Sequence, residues 1–468
     1  MSGHDNFKEL LGNAQSKNYP PSPSMKTIAT FYDKFKLYLL NTSWIMGEKI
    51  LAMGLGFLVS VLVARYLGPE GYGVLAYAIS LTAIFATAGH LGLGGLVVRE
   101  IVTKPTERAE TLGTTLILKF TGVAVGYLVL LAYALIYEKS GSLEFWVLII
   151  VASSLLFQPF RVIDFWFEAH VHAKYPAIAQ SSSLLIAVTI KIFLVFSGAG
   201  LIFFAFVHFL QAVMIACFLL FLFKAKSHIP ISSWQISSKK AKELLSQGWV
   251  IFLGAIFATI YLKIDQVMLK WFVGSEAVGI YAVAAILSEA WYFVPTAIVA
   301  SLFPRLIELK VESQEKFNRR LQQIFDLLFV VALMVAVVVT VIAGPVIQLF
   351  FGAQYLAASS ILAIHVWAAL FIFMRAALSK WILIENVLVF SLITQSLGAL
   401  ANVCLNLVLI PHYGGKGAAI ATLISYAMAS YFSLAFYSRS RPIFWMMSKA
   451  ILAPIRYPMQ HIGGKVAN

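Results

Sequence analysis

The sequence predicts an all-α polytopic membrane protein, with about twelve transmembrane helices arranged as two six-helix halves. Three observations carry that expectation. Of the 468 residues, 60% are hydrophobic and only 12% are charged, whereas a soluble chain is nearer half apolar and a quarter charged. Apolar stretches of about 20 residues recur along the whole length, each enough to cross a hydrocarbon core of roughly 30 Å. A short turn is also used twice. LGPEGYG at residues 67–73 returns as VGSEAVG at 273–279, with Gly68, Glu70 and Gly73 matching Gly274, Glu276 and Gly279 at one offset.

Residues 1–40 are polar, carry Pro20, Pro21 and Pro23, and hold no short apolar core followed by a small-residue cleavage site. They are expected to be a cytosolic tail and not a signal peptide. Spans one to six follow near 43–66, 72–94, 113–137, 143–163, 175–197 and 200–223, within a first lobe at 41–224. Spans seven to twelve follow near 248–273, 279–302, 322–347, 359–383, 387–410 and 417–437, within a second lobe at 248–438. The runs are continuous rather than alternating, which excludes a β-barrel. The connection at 225–247 is rich in lysine and carries Trp234 and Ile236, so it is expected to lie along the inner membrane surface beside anionic lipid. The tail at 439–468 has a similar basic and aromatic make-up. Cys217 and Cys404 both fall inside apolar runs, where packing is their expected role, and two cysteines make no metal or disulfide framework.

The net charge of +14 is distributed as a topology signal. With an even number of spans, both termini lie on one side. That side collects 26 of the 35 lysines and arginines and the other side 4, with the rest inside spans. The positive-inside rule then puts both termini in the cytoplasm, and nucleic acid is not expected as a partner. The loops on the far side are too short to form a domain. Function is therefore expected within the membrane.

The repeated turn has the chemistry of a tight helical hairpin. Gly68 is placed to end span one in the left-handed conformation, where glycine avoids the Cβ penalty. Pro69 suits the first turn of the next helix, and Glu70 sits near its positive N-terminus. In the second copy Gly274 ends the helix, Ser275 is the expected cap, and Glu276 takes the place of Glu70. Ala76, Ala78 and Leu81 continue the match against Ala282, Ala284 and Leu287. Six spans separate the copies, so the halves share one orientation, related by a pseudo-twofold along the membrane normal. Repeats of this kind are a transporter signature, with substrate handled between the halves.

Residues 64–101, ARYLGPEGYGVLAYAISLTAIFATAGHLGLGGLVVREI, resemble the first hallmark of the polysaccharide (O-antigen type) flippases. That family belongs to the multidrug/oligosaccharidyl-lipid/polysaccharide exporter superfamily, which also holds multidrug and toxin extrusion proteins and lipid II flippases. Residues 399–426, ALANVCLNLVLIPHYGGKGAAIATLISY, carry Asn402, Asn406, Pro411, Gly414, Gly417 and Thr422 at the spacing of that family's eleventh and twelfth helices. Residues 349–362, LFFGAQYLAASSIL, are similar more weakly. The resemblance implies a V-shaped pair of lobes around a central cavity that alternates between faces. It also implies the substrate, an oligosaccharide on an undecaprenyl pyrophosphate carrier, moved from the cytoplasmic to the periplasmic leaflet of a bacterial inner membrane. The bilayer and this glycolipid are the expected partners, with the pathway's polymerase and chain-length regulator as further candidates.

Ionisable groups at bilayer depth are costly and usually line a cavity. Lys263, eleven residues before Gly274, lies roughly 16 Å below the far surface at about 1.5 Å per residue. Glu289, fifteen residues past the same glycine, lies roughly 22 Å deep. Arg375 falls mid-span. A cavity for pyrophosphate and sugar needs cations with hydrogen-bonding groups, and guanidinium suits phosphate. Arg375 and Lys263 are therefore the leading candidates for the head group, the competing role being an ion pair with Glu289 or Asp265. Asp265 points away from Lys263 on the same helix, whereas Gln266 and Lys270 continue the Lys263 side as a stripe expected to face the lumen. Lys49 and Lys191 complete the candidate substrate-binding set. Glu48, Lys49 and Lys119 lie near the cytoplasmic boundary, where snorkelling to the interface is the plainer expectation. His90, His208 and His365 are expected to be packed and hydrogen-bonded. Asp265 and Glu289 are the candidates for a coupling proton or sodium ion, and no other cofactor and no metal site is expected.

Gly122 with Gly126, and Gly417 with Ala421, fit close helix packing, while Pro295, Pro304 and Pro345 are candidate bends. No nucleophile–base pair, phosphate loop or metal-spaced cluster is present, so an enzyme is not expected. A membrane-embedded polymerase or glycosyltransferase would need a catalytic loop or domain. A drug or cation antiporter on the same architecture would favour a cavity of acidic and aromatic groups, and the embedded charges here are mixed.

Overall fold

The computed structural model describes residues 25–227 and 229–456; residues 1–24 and 457–468, the outer parts of the two expected tails, lie outside the described residues. Among the described residues there is no strand, and ten helical runs are long and apolar enough to cross a membrane. Two of these runs are hairpins that turn at Gly68 (φ 71°) and Gly414 (φ 55°), which gives the expected twelve crossings. Helix is the form such sequences must take in lipid, because it satisfies every backbone group within the segment. Gly141, Gly198, Gly274 and Gly352 also have positive φ. One left-handed glycine thus closes each hairpin at one end of the molecule, called here the turn face. The opposite end, where the lysines and arginines collect, is the basic face.

At the turn face the two copies of the repeated turn pack on each other. Span two crosses span eight at Gly73 and Gly279 so closely that a Cβ on Gly73 would strike the Ser275 carbonyl, and one on Gly279 the Pro69 carbonyl. The neighbours in the way are backbone, which cannot rotate aside. One apolar cluster spreads from this crossing into both halves, with Val63, Tyr72 and Leu75 from the first and Val278, Ala282 and Phe351 from the second. Tyr355 donates to the Ala64 carbonyl at 2.9 Å, and Trp271 Nε1 donates to the Tyr133 hydroxyl at 2.6 Å. The turn face is sealed.

Toward the basic face the halves have separate cores. One is built on Val97, Ile163 and Phe223, the other on Phe325, Phe373 and Met447. Span seven (Ser238–Phe272) contributes Leu244 to the first of these cores and packs along Leu388–Ser430 of the second half. At its lower end Lys240 is buried and pairs with Glu100 at 3.0 Å and Glu107 at 2.5 Å, both from the first half. Lys104 beside it bonds Glu100 and Glu243, and those hydrogen bonds hold its ammonium above the usual lysine range.

Several local expectations need correction. The linker is docked on the first half: Trp234 stacks edge-on against Phe223 at 5.4 Å, and Ser237 N donates to Thr114 Oγ1 at 3.0 Å. Cys217 and Cys404 are free and exposed rather than packed, on apolar spans where a thiol sits comfortably against acyl chains. Ser275 caps nothing. Gly274 is the N-cap, and the Ser275 hydroxyl instead accepts from Lys270 Nζ at 2.6 Å. Gly122 and Gly126 do pack closely, against the carbonyls of Ala88 and Phe85.

Overpacking a tight site costs about 1–3 kcal/mol, and here the clash is with backbone. Gly279→Leu is therefore expected to lower the thermal midpoint of the purified protein by several degrees. Gly54→Leu, with nothing within 4 Å of a Cβ, should leave it unchanged. Equal midpoints for the two variants would remove the crossing from its structural role.

Candidate functional site

Below the seal lies a cavity of about 760 Å³, extending from mid-membrane toward the basic face. Its polar lining on the first half is Thr82, Thr87, His90, Ser154, Gln158 and His208, and span seven closes it with Ile251, Ala255 and Thr259. Thr87 and Thr259 meet at 3.2 Å where it narrows. No Asp, Glu, Lys or Arg is among the lining residues. The wall is shaped by a break in span two. The helix tightens over Thr87–Gly89, passes Leu91 (φ 48°) and Gly92 (φ 67°), and restarts as Gly94–Thr103. Gly92 is required there twice over, by its φ and because a Cβ would strike the Gly248 carbonyl and the Phe252 amide of span seven.

A second polar site is buried inside the second half. Asp265, 2% exposed, accepts from Asn406 Nδ2 at 2.6 Å and from Tyr281 Oη at 2.8 Å, and also from Thr422 Oγ1. Asn406 Nδ2 also donates to Asn402 Oδ1 at 3.0 Å. Spans seven, eight, eleven and twelve thus converge on one carboxylate that forms no ion pair among the described residues. Asn406 Oδ1 and Asn402 Nδ2 are buried without partners. Nearby, His365 Nδ1 meets Ser288 Oγ at 2.9 Å, as expected of a packed histidine.

The structure places the sequence candidates in four different settings. Lys263 and Glu289 form an ion pair at 3.6 Å, each about a third exposed. Arg375 is held by neutral groups, donating to the Ala429 carbonyl at 2.9 Å, Thr394 Oγ1 at 3.1 Å and Ser391 Oγ at 3.2 Å. Gln266 faces the first half and accepts from Ser80 Oγ at 2.8 Å, while Lys270 pairs with Glu144 at 3.4 Å. That stripe therefore points between the halves, at the level of the seal. Lys49 is exposed on span one beside exposed Met46 and Ile50, and Lys191 is half-buried. None of these side chains lines the large cavity.

Three groups stand differently from their expectation. His90 is exposed to the cavity and His208 lines it; neither is the packed, bonded histidine expected. Lys119 is no interfacial anchor. It is 2% exposed, its Nζ lying 5.4 Å from the centre of the Phe165 ring. Depth estimated from turns ignores which face of a span meets protein, and Lys119 faces inward.

The sequence profile of the family described as polysaccharide biosynthesis protein matches residues 38–310, more than half of the chain. The chain belongs to that family. Among relatives, the Haloferax volcanii protein named "Probable flippase AglR" is 24% identical over 393 residues, covering 82% of this chain and 80% of that one. The Shigella flexneri protein named "Putative O-antigen transporter" is 25% identical over 321 residues, covering 64% and 72%. Among solved structures, a lipid II flippase MurJ in an inward closed conformation superposes with TM-score 0.66 at 16% identity, covering 90% of this chain and 93% of that one. An inward-facing multidrug resistance MATE family transporter gives 0.67 at 16% identity, covering 85% and 96%. The chain therefore shares the two-lobed fold of these two transporters. The relatives named here are flippases and transporters, and none of them is named an enzyme.

The Asp265 cluster yields a direct test. A hydrogen bond to a charged acceptor contributes about 1.5–3 kcal/mol, so Tyr281→Phe should lower thermal stability measurably. Asp265→Asn combined with Tyr281→Phe should cost less than the sum of the two single changes. Strict additivity in that double-mutant cycle would show that the pair is not coupled.

Proposed function

We propose that this protein is a flippase for oligosaccharide units carried on a polyprenyl pyrophosphate lipid, working by alternating access between its two lobes. The observation that carries this is the cavity. It lies between the lobes, it is sealed at the turn face, and its polar lining consists of hydroxyl, amide and imidazole groups suited to sugar hydroxyls. Its volume falls in the range of about 300–1,000 Å³ usual for ligand sites. The family match and the relatives named as a flippase and an O-antigen transporter support the same reading. A drug or cation antiporter would be expected to place acidic groups in the cavity, and this lining has none.

The basic face is assigned to the cytoplasm by the positive-inside rule, with both termini there, in a bacterial inner membrane. The cavity then opens toward the side on which the glycolipid is made, and transport runs toward the turn face. Asp265 with Asn402, Asn406 and Thr422 is the proposed seat of a coupling cation, sodium or a proton. A hard cation would take oxygen donors from a carboxylate, amides and a hydroxyl, and the unpartnered Asn406 amide oxygen would then find its partner. Glu289 keeps its candidacy through Lys263, since a proton on Glu289 would release the ion pair. Lys263 and Arg375 remain proposed head-group contacts for the state in which the lobes have moved. The polymerase and chain-length regulator of the pathway are its proposed neighbours.

Cells lacking the protein are expected to accumulate lipid-linked repeat units on the cytoplasmic leaflet, read by protection of the glycan from a probe outside spheroplasts. Vesicles of purified protein that extrude cationic drugs but never translocate a glycolipid would overturn the reading. Lys263→Ala should cut translocation at least tenfold with membrane insertion unchanged. If the exchanged pair Lys263→Glu with Glu289→Lys transports like wild type, Lys263 serves only the ion pair. Asp265→Asn should remove the response of transport to a sodium or proton gradient, and a retained response would exclude that site.

A further inference from the structure

The hairpin that joins spans eleven and twelve overhangs a pocket of about 570 Å³ at the turn face. The floor of this pocket is apolar, made by Ala277 and Ile280 of span eight with Ala357 and Ile361 at the start of span ten. Ala277 and Ile280 follow Gly274 by three and six residues. At a rise of 1.5 Å per residue, that floor lies within roughly 9 Å of the turn. Leu356 and Val408, beside these segments in the chain, are exposed. The pocket therefore opens on lipid-facing surface, at the depth where headgroups meet acyl chains.

Ser360, His412, Tyr413 and Lys416 rim that floor. Two of them are engaged locally: the Ser360 hydroxyl donates to the Ala357 carbonyl at 3.0 Å, and His412 Nδ1 to the Val408 carbonyl at 2.8 Å. Lys416 is exposed and forms neither an ion pair nor a hydrogen bond among the described residues. No Asp or Glu lines the pocket. Glu276, next to Ala277 in the chain, is exposed and makes no ion pair among the described residues. A cation is also unusual at this end of the molecule. The turn face holds only Arg65, Lys139, Lys270 and Lys416, because the positive-inside bias runs against basic residues there. Lys270 already has Glu144 as its partner.

We propose that this pocket binds an anionic phospholipid of the leaflet at the turn face, with Lys416 on the phosphate and an acyl chain against Ala277, Ile280 and Ile361. Charge complementarity selects the occupant. The apolar floor accepts an acyl chain from any phospholipid, whereas an unpaired ammonium at the rim favours a head group with net negative charge. Tyr413, 62% exposed, sets a phenol at the same level, where an apolar ring with a polar tip suits the membrane–water boundary. A lipid seated here braces the hairpin. Gly414 turns it at φ 55°, and Gly415 presses on span ten so closely that a Cβ would stand 2.5 Å from Ile361 Cδ1. The arms of the same hairpin carry Asn406 and Thr422, which donate to Asp265 together with Tyr281. An occupied pocket therefore supports the packing around that carboxylate. The site stands on its own geometry and does not depend on the flippase reading.

The test uses the full-length protein in phosphatidylcholine nanodiscs doped with a photoactivatable phosphatidylglycerol whose diazirine sits on an acyl chain near the ester. Cross-linked peptides are read by mass spectrometry. Wild type should be labelled at residues 277–280 and 357–361, and a phosphatidylcholine with the same diazirine should label them at least fivefold less. Lys416→Gln should cut the phosphatidylglycerol label there at least fivefold, whereas Lys416→Arg should stay within twofold of wild type. Ala357→Phe fills the pocket from an exposed position, and it should also cost at least fivefold. Label on the lipid-facing residues 45–50 of span one is the internal reference and should not change. Equal labelling by the two lipids overturns the assignment to an anion. Wild-type labelling in both Lys416→Gln and Ala357→Phe overturns the site. If farnesyl diphosphate displaces the label at concentrations where added phosphatidylglycerol does not, the occupant is a carrier lipid and the phospholipid assignment is wrong.

Discussion

Everything else in this structure hangs on the backbone contact between Gly73 and Gly279. Two helices approach this closely only where neither carries a side chain, and in lipid the gain comes from packing rather than from expelling water. The contact fixes the two repeated hairpins on each other and so sets the pseudo-twofold relation of the lobes. It also decides where the molecule is open. The lobes are pinned at the turn face, and toward the basic face each has a core of its own.

Span seven complicates a simple picture of two rigid lobes. Its Asp265 side is locked into the second lobe through Tyr281, Asn406 and Thr422. Its opposite side touches the first lobe along its length, through Lys240 with Glu100, Gly248 with Gly92, Thr259 with Thr87, and Gln266 with Ser80. Any motion that opens the turn face must break contacts on one side of this helix and keep those on the other. The Asp265 cluster differs from the Lys240–Glu100 contact in that its buried carboxylate is held by neutral donors. A cation bound there would change how firmly span seven is held by its own lobe, which is the thermodynamic requirement for coupling.

The fold was largely legible because the information lay in periodic and local features. Apolar run length gave the twelve crossings, and Gly68 and Gly274 gave one tight hairpin in each half. The copy of Gly73 at Gly279 gave the relation between lobes, although nothing in it announced that the two residues touch. The candidate site was less legible. Run lengths place Asp265 and its asparagines on their helices, and Lys263 with Glu289 is one of the ion pairs the sequence offers. Lys119 was misplaced because depth along a span is a one-dimensional quantity, whereas burial depends on which neighbour each face meets. The docking of the linker is not legible for a related reason: Trp234 and Lys240 look alike whether they meet a headgroup layer or a pocket of Phe223 and Glu100. The signal that would have helped was AGHLGLGG at residues 88–95, read as part of a family hallmark when its paired glycines also mark a broken helix.

The two polar regions of the membrane interior differ in how well they are satisfied. In the second lobe, Lys263 has Glu289, Arg375 has a carbonyl and two hydroxyls, and the Asp265 carboxylate has three donors. Such groups hold a shape, and their removal is felt first as lost stability. In the first lobe, Lys119 stands over the Phe165 ring, His90 opens on the cavity, and no side chain caps the start of the helix at Gly94. Charge placement thus separates two settings that composition shows only as a mixture: the interior of the second lobe carries paired or fully bonded charges around one carboxylate, whereas the cavity wall of the first lobe presents neutral hydroxyl, amide and imidazole groups that cost less to leave open to a ligand.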